Sequence, residues 1–427
     1  MKAEEAKLFC LTSGQRWLLH LFEQSRQMAR PVQRIYRLSS SFDPSAFLEA
    51  LEYIVASHPA LRLRLVQKKS GWKQVFPEQD PVISGEEILG RTPEMRAAYI
   101  TMLLADEARS AMDLRKESPV KAKLIKADGE FLLSLCVDHI AADEIAFDLL
   151  EQALLCTYTE VMNRMPLSLS PSDDLFQYLS KEMALQDSEH PNLLYWQQQL
   201  KDAPMRGQSN DEINWAPATV FEYTLNGTLY QSIQDFCRTN RCSLFNLMIA
   251  VQLLIMAETA NQDDLVLNIP ISNRARANEK NIIANLSMLL HVRFTEIRRD
   301  PASRLVSYVR DKVLTAMAHR QYDYPSLSHF IAGEAEQKGV STGWLLGCSF
   351  VMEQTAAVFP NELFEERLDN QFGRVYDIPA TSFSAVFRQT APVLKILIDW
   401  DEACWPVPAD AMENRFLHAL QTLSRTH

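Results

Sequence analysis

Glycine is scarce, at 12 of 427 residues. Neither GxxxxGK(S/T) nor GxGxxG occurs, which excludes the glycine-lined phosphate cradles of nucleotide-binding folds. The seven cysteines form no CxxC pair and their number is odd, which argues against a disulfide framework. Several sit in apolar runs, where a thiol behaves as a small hydrophobe, and a reducing compartment fits. HExxH and clustered His/Cys sets are absent, so no metal is expected. No GxSxG nucleophile elbow occurs either. Positive charge is also short: the formal net charge is -11, and basic stretches are as brief as Arg298-Arg299. Binding to nucleic acid or to an anionic membrane is therefore not expected. The most apolar stretch, Leu244 to Ala257, contains Asn246 and Gln252. It is too short and too polar to span a bilayer and reads as a buried helix. Met1-Lys2-Ala3-Glu4-Glu5 lacks the layout of a signal peptide, and a cytoplasmic protein is expected.

What is present is globular. Hydrophobic residues make up 47% and charged residues 23%, so disorder is not expected. Single cores stop growing at roughly 250–300 residues, so the chain should form two lobes. Apolar spacing predicts helices over 11–26, 43–58, 95–111 and about 143–162, with a strand at Leu61 to Val66. Lys121 to Lys126 and Phe131 to Val137 read as a hairpin turning at Asp128-Gly129. Residues 166–175, rich in Ser, Pro and Asp, form the expected linker between a lobe at 1–165 and one at 176–427. The second lobe should hold helices at 190–201, 229–240, 243–259, 301–319 and 409–424. Its strands should lie at 219–225, 264–269, near 286–294, at 345–353, 381–388 and 393–399. Helices and strands are thus mixed in both halves, an α/β arrangement.

One segment carries a chemical pattern: Phe131-Leu-Leu-Ser-Leu-Cys-Val-Asp138-His139-Ile-Ala-Ala-Asp143-Glu144. A strand runs into a loop and then a helix. A histidine at the end of a strand is held by its backbone yet can reach a cleft. A neutral imidazole can take a proton from a nucleophile attacking a carbonyl. Asp143, four residues on, can fix the loop or the ring. HxxxD alone is weak, because a lone histidine at a strand end is more often structural.

Other segments add context. Leu11-Thr-Ser-Gly-Gln-Arg-Trp17 resembles "LTxxQRxLW". His58-Pro-Ala-Leu-Arg62-Leu-Arg64 resembles "HxxLRTxF", and Met112-Asp-Leu114 with Ser118-Pro-Val120 resembles "FDLxxxPLLR". Asp138 to Glu144 stands at "HHxxxDG" and Tyr195 to Leu200 at "YWxxQL". Asn273-Arg274 through Arg293 resembles "GRxxx…IGxFVNTLPLR", and Arg320 to Pro325 resembles "HQDxPFE". In this order the segments resemble the condensation domains of nonribosomal peptide synthetases across nearly the whole chain.

The resemblance implies two chloramphenicol-acetyltransferase-like lobes in a V-shaped pseudo-dimer around a central tunnel. It implies an acyltransferase that moves an acyl or aminoacyl group from a carrier-protein phosphopantetheine thioester to an amine or hydroxyl. His139 matches the functional histidine. Asp143 matches the structural aspartate, with Arg274 as first candidate partner and Arg62 as second. Asp138, Glu144, Met288 and His291 are implied as lining the tunnel. No cofactor is expected to be bound; the phosphopantetheine arm would come on a separate carrier protein, since no GGxS motif occurs.

Four positions depart from the pattern: Asp138 for the first His, Glu144 for Gly, Ala284 for Gly and Met288 for Asn. They leave open a fold that has lost catalysis and serves as a docking platform. A third reading is an acyl-CoA-dependent enzyme similar to the BAHD family. It has only Phe372-Gly373, after Gln371 and before Arg374, to set against that family's DFGWG.

Overall fold

In a computed structural model the chain is described over residues 7–25, 31–90, 92–169, 173–183, 190–205, 215–298, 304–340, 347–354, 359–368, 377–379, 383–390 and 392–424. Its strands are β1 (Pro31–Leu38), β2 (Arg64–Lys68), β3 (Gly71–Val75), β4 (Val82–Ile88), β5 (Val120–Ala127), β6 (Glu130–Asp138), β7 (Trp215–Pro217), β8 (Thr219–Leu225), β9 (Leu265–Ile271), β10 (Met288–Phe294), β11 (Cys348–Gln354), β12 (Phe364–Arg367), β13 (Asp377–Pro379), β14 (Phe383–Thr390) and β15 (Val393–Trp400). Its helices are α1 (Ser13–Ser25), α2 (Pro44–Ser57), α3 (Pro93–Arg109), α4 (Glu144–Met162), α5 (Asp174–Glu182), α6 (Pro191–Leu200), α7 (Gly227–Thr239), α8 (Leu244–Ala260), α9 (Arg304–Ala318), α10 (Tyr324–Lys338) and α11 (Ala409–Ser424).

The first of two compact units comprises Met1–Leu185, Ser272–Ser287 and Ala357–Arg374. Its main sheet has the order β12-β1-β6-β5-β4. β5 and β6 form a hairpin whose two loop residues, Asp128 and Gly129, have φ of 52° and 84°. Aspartate and glycine tolerate those angles, which match the twist of a tight hairpin. α2 starts at Pro44, which lacks the N–H that a first-turn residue leaves unpaired. Asp43 caps it by accepting from the Ser45 and Ala46 N–H groups at 2.7 and 3.0 Å. Phe47, Leu51 and Ile54 of α2 and Phe147, Leu150 and Leu154 of α4 share one core with Leu133, Leu135 and Val137 of β6. That core fixes the strand on which the motif ends.

The second unit comprises Gln186–Ile271, Met288–Ala356 and Val375–His427. Its six-stranded sheet has the order β10-β9-β11-β14-β15-β8. α8 is apolar on every face and buried from Leu244 to Ala257, with Phe245 the partly exposed exception. Gln252 is accommodated there because its amide donates to the Ser349 carbonyl of β11 at 2.8 Å. Among the described residues, no single helix is long and apolar enough to cross a membrane.

Most expected elements stand within a few residues of their expected bounds, and three findings differ. First, the lobes are not continuous: residues 176–185, 272–287 and 357–374 group with the first unit rather than with 176–427. The reason is pairing at long range, with β12 on β1 and hydrogen bonds from Arg274 and Asn285 to the loop after β6. α5 also begins inside the expected linker 166–175. Second, Pro59–Arg62 is a turn of 3₁₀ helix and the strand begins only at Arg64, not Leu61. Third, β1, β3, β4, β7, β12, β13, α5 and α10 were not expected; β1, an inner strand of its sheet, escapes because Arg34 interrupts its apolar pattern. Parts of the expected segments, residues 26, 170–172, 301–303, 345–346 and 381–382, lie outside the described residues.

Candidate active site

Residues 139–143 form the loop between β6 and α4, and nearly every polar group of its backbone has a partner. The Ala141 and Ala142 N–H groups donate to the Asp138 carbonyl at 2.8 and 3.2 Å. The Ile140 N–H donates to Asp138 Oδ1 at 2.9 Å. The Ile140 carbonyl accepts from Gln15 Nε2 at 3.0 Å. Asn285 binds the loop twice: its N–H donates to the Ala141 carbonyl at 3.0 Å, and its Nδ2 to the His139 carbonyl at 2.6 Å. Asn285 is itself held, its carbonyl accepting from Thr12 Oγ1 at 2.8 Å. A loop tied at this density holds its side chains in one geometry.

His139 is half-buried. Its Nδ1 lies 2.9 Å from the Ala142 carbonyl. A carbonyl can only accept, so Nδ1 carries the proton and Nε2 presents a lone pair. Among the described residues Nε2 has no hydrogen-bond partner. The ring is thus set up to accept one proton at a defined atom.

Asp143 does not touch the imidazole. Its Oδ1 caps α4 by accepting from the Ala146 N–H at 2.8 Å. Arg274 grips it in a fork, Nη1 to Oδ2 at 2.7 Å and Nη2 to Oδ1 at 3.0 Å. Oδ2 also accepts from the Leu286 N–H at 3.0 Å. Both side chains are almost wholly buried. Of the two candidate partners, Arg274 is the one in contact. Arg62 instead donates to the Pro77 carbonyl at 3.2 Å, because the 3₁₀ turn at 59–62 directs it there.

The implied tunnel-lining residues have other settings. Asp138 is buried, at 1% exposure, and closes the turn after β6. Its displacement from water raises its carboxyl to about 7. Glu144 binds Arg34 at 2.6 Å and sits at the first position of α4, where negative charge is favoured. Met288 begins β10 in the second unit and is buried. His291, also on β10, has no exposure at all. Its Nδ1 meets Asn268 Oδ1 at 2.6 Å, Trp196 and Tyr324 flank the ring, and burial lowers its imidazole to about 3. Both are buried side chains of β10, an edge strand of its sheet among the described residues.

Three features escaped the sequence reading. Gln15 and Asn285 hold the motif loop across 125 and 146 residues of chain. Arg34, 1% exposed, binds Glu144, Asp148 and Glu151 at 2.6, 2.6 and 2.9 Å and stacks over Phe147. Burial raises the carboxyls of Asp148 and Glu151, and Arg34 opposes that rise. No local pattern signals such contacts; Arg34 shares residues 31–38 with Gln33 and Arg37, and nothing in that segment marks it as the buried one.

Asp138 gives a pH-dependent prediction. Its folded pKa of about 7 exceeds the roughly 3.9 of an unfolded aspartate. The folded chain therefore holds a proton that the unfolded chain releases, and this group lowers stability as pH rises from about 4 to about 7. Asp138→Asn keeps an acceptor for the Ile140 N–H. It is expected to be more stable than wild type at pH 8 and equal to it near pH 4, by denaturant titration across that range. A constant difference between the two proteins at every pH would refute the assignment.

The sequence matches the condensation domain family over residues 5–386. It is 25% identical over 339 residues to the nonribosomal peptide synthetase kk1B of Curvularia clavata, covering 76% of this chain and 2% of that protein. Among solved structures, one neighbour is the X-domain in its complex with OxyB from teicoplanin biosynthesis. Its TM-score is 0.76 at 17% identity, with 99% of this chain and 94% of that one covered. Another is the starter condensation domain of rhizomide synthetase with C8-CoA and Leu-SNAC. There the TM-score is 0.73 at 17% identity, covering 98% and 94%. These neighbours share the two-lobed chloramphenicol-acetyltransferase-like fold, and among the described residues no sheet closes into a barrel. The chain spans only 2–10% of the length of the curated relatives it matches. Phe372 and Gly373, on which the acyl-CoA reading leaned, lie outside the described residues.

Proposed function

We propose, from the premise that the chain belongs to the condensation-domain family, that it is an acyltransferase working on carrier-bound substrates. It would move an acyl or aminoacyl group from a phosphopantetheine thioester on a carrier protein to an amine or hydroxyl, in natural-product biosynthesis. Condensation domains in general are acyl or peptidyl transferases. The reading rests on one observation: His139 Nδ1 is committed to the Ala142 carbonyl, and Nε2 is left as a proton acceptor on a clamped loop. Nε2 takes the proton of the attacking amine or hydroxyl as its new bond to the thioester carbon forms. The departing thiolate leaves with a proton in turn. Asp143, Arg274, Gln15 and Asn285 contribute by holding the loop, so that positioning supplies much of the rate. The carrier arm is substrate here, and no metal enters the chemistry proposed.

A docking platform is the second reading. The X-domain neighbour was solved in complex with a second protein, OxyB, and Asp138 and Glu144 are engaged in structural contacts. Mass spectrometry separates the two. A carrier protein loaded with an acyl-phosphopantetheine arm is incubated with a panel of amines and alcohols, using wild type and His139→Ala. Wild type should release the acyl group to a defined amide or ester, and His139→Ala should lose most of that transfer. Equal product from both proteins would remove His139 from the chemistry. Carrier binding without transfer by either would favour the platform.

A further inference from the structure

The junction of α7 and α8 carries two thiols that acyl transfer does not use. α7 ends in a Schellman closure. Arg241 adopts a left-handed conformation, φ 50°. The Cys242 N–H donates to the Cys237 carbonyl at 3.0 Å, and the Arg241 N–H to the Arg238 carbonyl at 3.3 Å. Such a closure folds the residue two past the cap onto the residue in the last turn of the helix, and those side chains commonly touch. Here both are cysteine. Cys237 is buried and Cys242 half-buried, and the neighbouring thiol is the largest influence on the ionisation of each. Ser243, the next residue, caps α8 by accepting from the Asn246 N–H at 3.1 Å. The Cys242 backbone is therefore fixed from both sides, by the end of one helix and the start of the next.

We propose that Cys237 and Cys242 form a reversible dithiol–disulfide couple, oxidised by hydrogen peroxide and reduced by low-molecular-weight thiols. The neighbouring Cys237 thiol holds the Cys242 thiol below its ordinary range, with Arg310 adding to the effect. The Cys242 thiol beside it, together with burial, pushes Cys237 up. Cys242, half-buried where Cys237 is buried, is the thiol that peroxide reaches and so the first nucleophile, since the thiolate is the reactive form. Its thiolate attacks the peroxide, the O–O bond breaks, Cys242 becomes a sulfenic acid and one water leaves. The Cys237 sulfur then attacks the sulfenic sulfur, the S–S bond forms, the S–O bond breaks and a second water leaves. Two thiols lose two electrons, and one peroxide is reduced to two waters.

The test is a hydrogen peroxide titration of the full reduced chain, followed by peptide mapping without reductant. The expected result is a Cys237–Cys242 linkage, lighter by two hydrogens, that appears before exposed Cys156 is consumed and is reversed by dithiothreitol. Cys237→Ser should leave Cys242 as a sulfenic acid that dimedone traps, and Cys242→Ser should leave Cys237 alkylatable at the same dose. Both thiols remaining alkylatable once Cys156 is oxidised would overturn the proposal, as would a linkage of Cys237 to any other cysteine. None of these readouts involves acyl transfer, so the outcome is independent of the proposed function.

Discussion

Arg274→Ala is expected to lower the unfolding free energy by about 3–5 kcal/mol, the range for removing one partner of a buried ion pair. The guanidinium is 3% exposed, so its loss does not admit water easily. Asp143 would keep only the Ala146 and Leu286 N–H donors for a charge buried in the first unit. The loss goes further than the pair. Arg274 also donates to the carbonyls of Ser272, Ile282 and Ala284 at 3.3, 3.1 and 2.9 Å. Those bonds shape the segment from which Asn285 reaches the His139 loop, so acyl transfer should fall more steeply than the folded fraction does. Arg274→Lys should recover little, because an ammonium cannot reproduce a planar fork. Denaturant unfolding of Arg274→Ala, Asp143→Ala and the double variant tests the point. The double variant should cost clearly less than the sum of the two singles, since the second change removes the charge stranded by the first. A cost below about 1 kcal/mol for Arg274→Ala would show that the pair adds little beyond its neighbours.

The sequence makes some links of this site readable and hides others, and chain distance is the dividing line. The strand, loop and helix from Phe131 to Met162 could be read locally: an apolar run, then an aspartate at a cap position, then helical spacing. The hairpin at Asp128-Gly129 could be read for the same reason. The partner of Asp143 lies 131 residues away, and only the family resemblance pointed to Arg274 and Arg62; geometry separates the two. Asn285 gave no signal, because an asparagine that clamps a distant loop looks like any polar residue between strands. β1 was hidden by its own chemistry. A strand with a buried Arg34 breaks the alternation that identifies strands, and the three carboxylates that make such burial tolerable lie on α4. Met288 and His291 were implied as tunnel residues from motif position alone.

Gly14→Ala is the change in which sequence rules and structure give opposite signs. Gly14 lies near the start of α1. In a helix, alanine is usually more stable than glycine by roughly 0.5–1 kcal/mol. Here an added Cβ would stand 2.2 Å from the Ser287 carbonyl oxygen and 2.9 Å from Asn285 Oδ1. The first obstacle is backbone and cannot swing aside. Either α1 or the strand-leading segment 285–287 must move, and each is tied to the motif loop. Gln15, the next residue, donates to the Ile140 carbonyl, and Asn285 donates to the His139 carbonyl. The expected result is a destabilisation of about 3 kcal/mol, the upper end for overpacking a filled site, measured by denaturant unfolding. Acyl transfer by the remaining folded protein should fall as well, because the same displacement shifts the loop that presents His139 Nε2. A control distinguishes this clash from an ordinary helix effect. Gly333→Ala, inside α10, would meet nothing within 4 Å of the added Cβ and should raise stability by roughly 0.5–1 kcal/mol, as alanine for glycine does in an open helix. If Gly14→Ala proved as stable as wild type, the close approach of α1 to residues 285–287 would be wrong, and with it the argument that this contact holds the His139 loop in place.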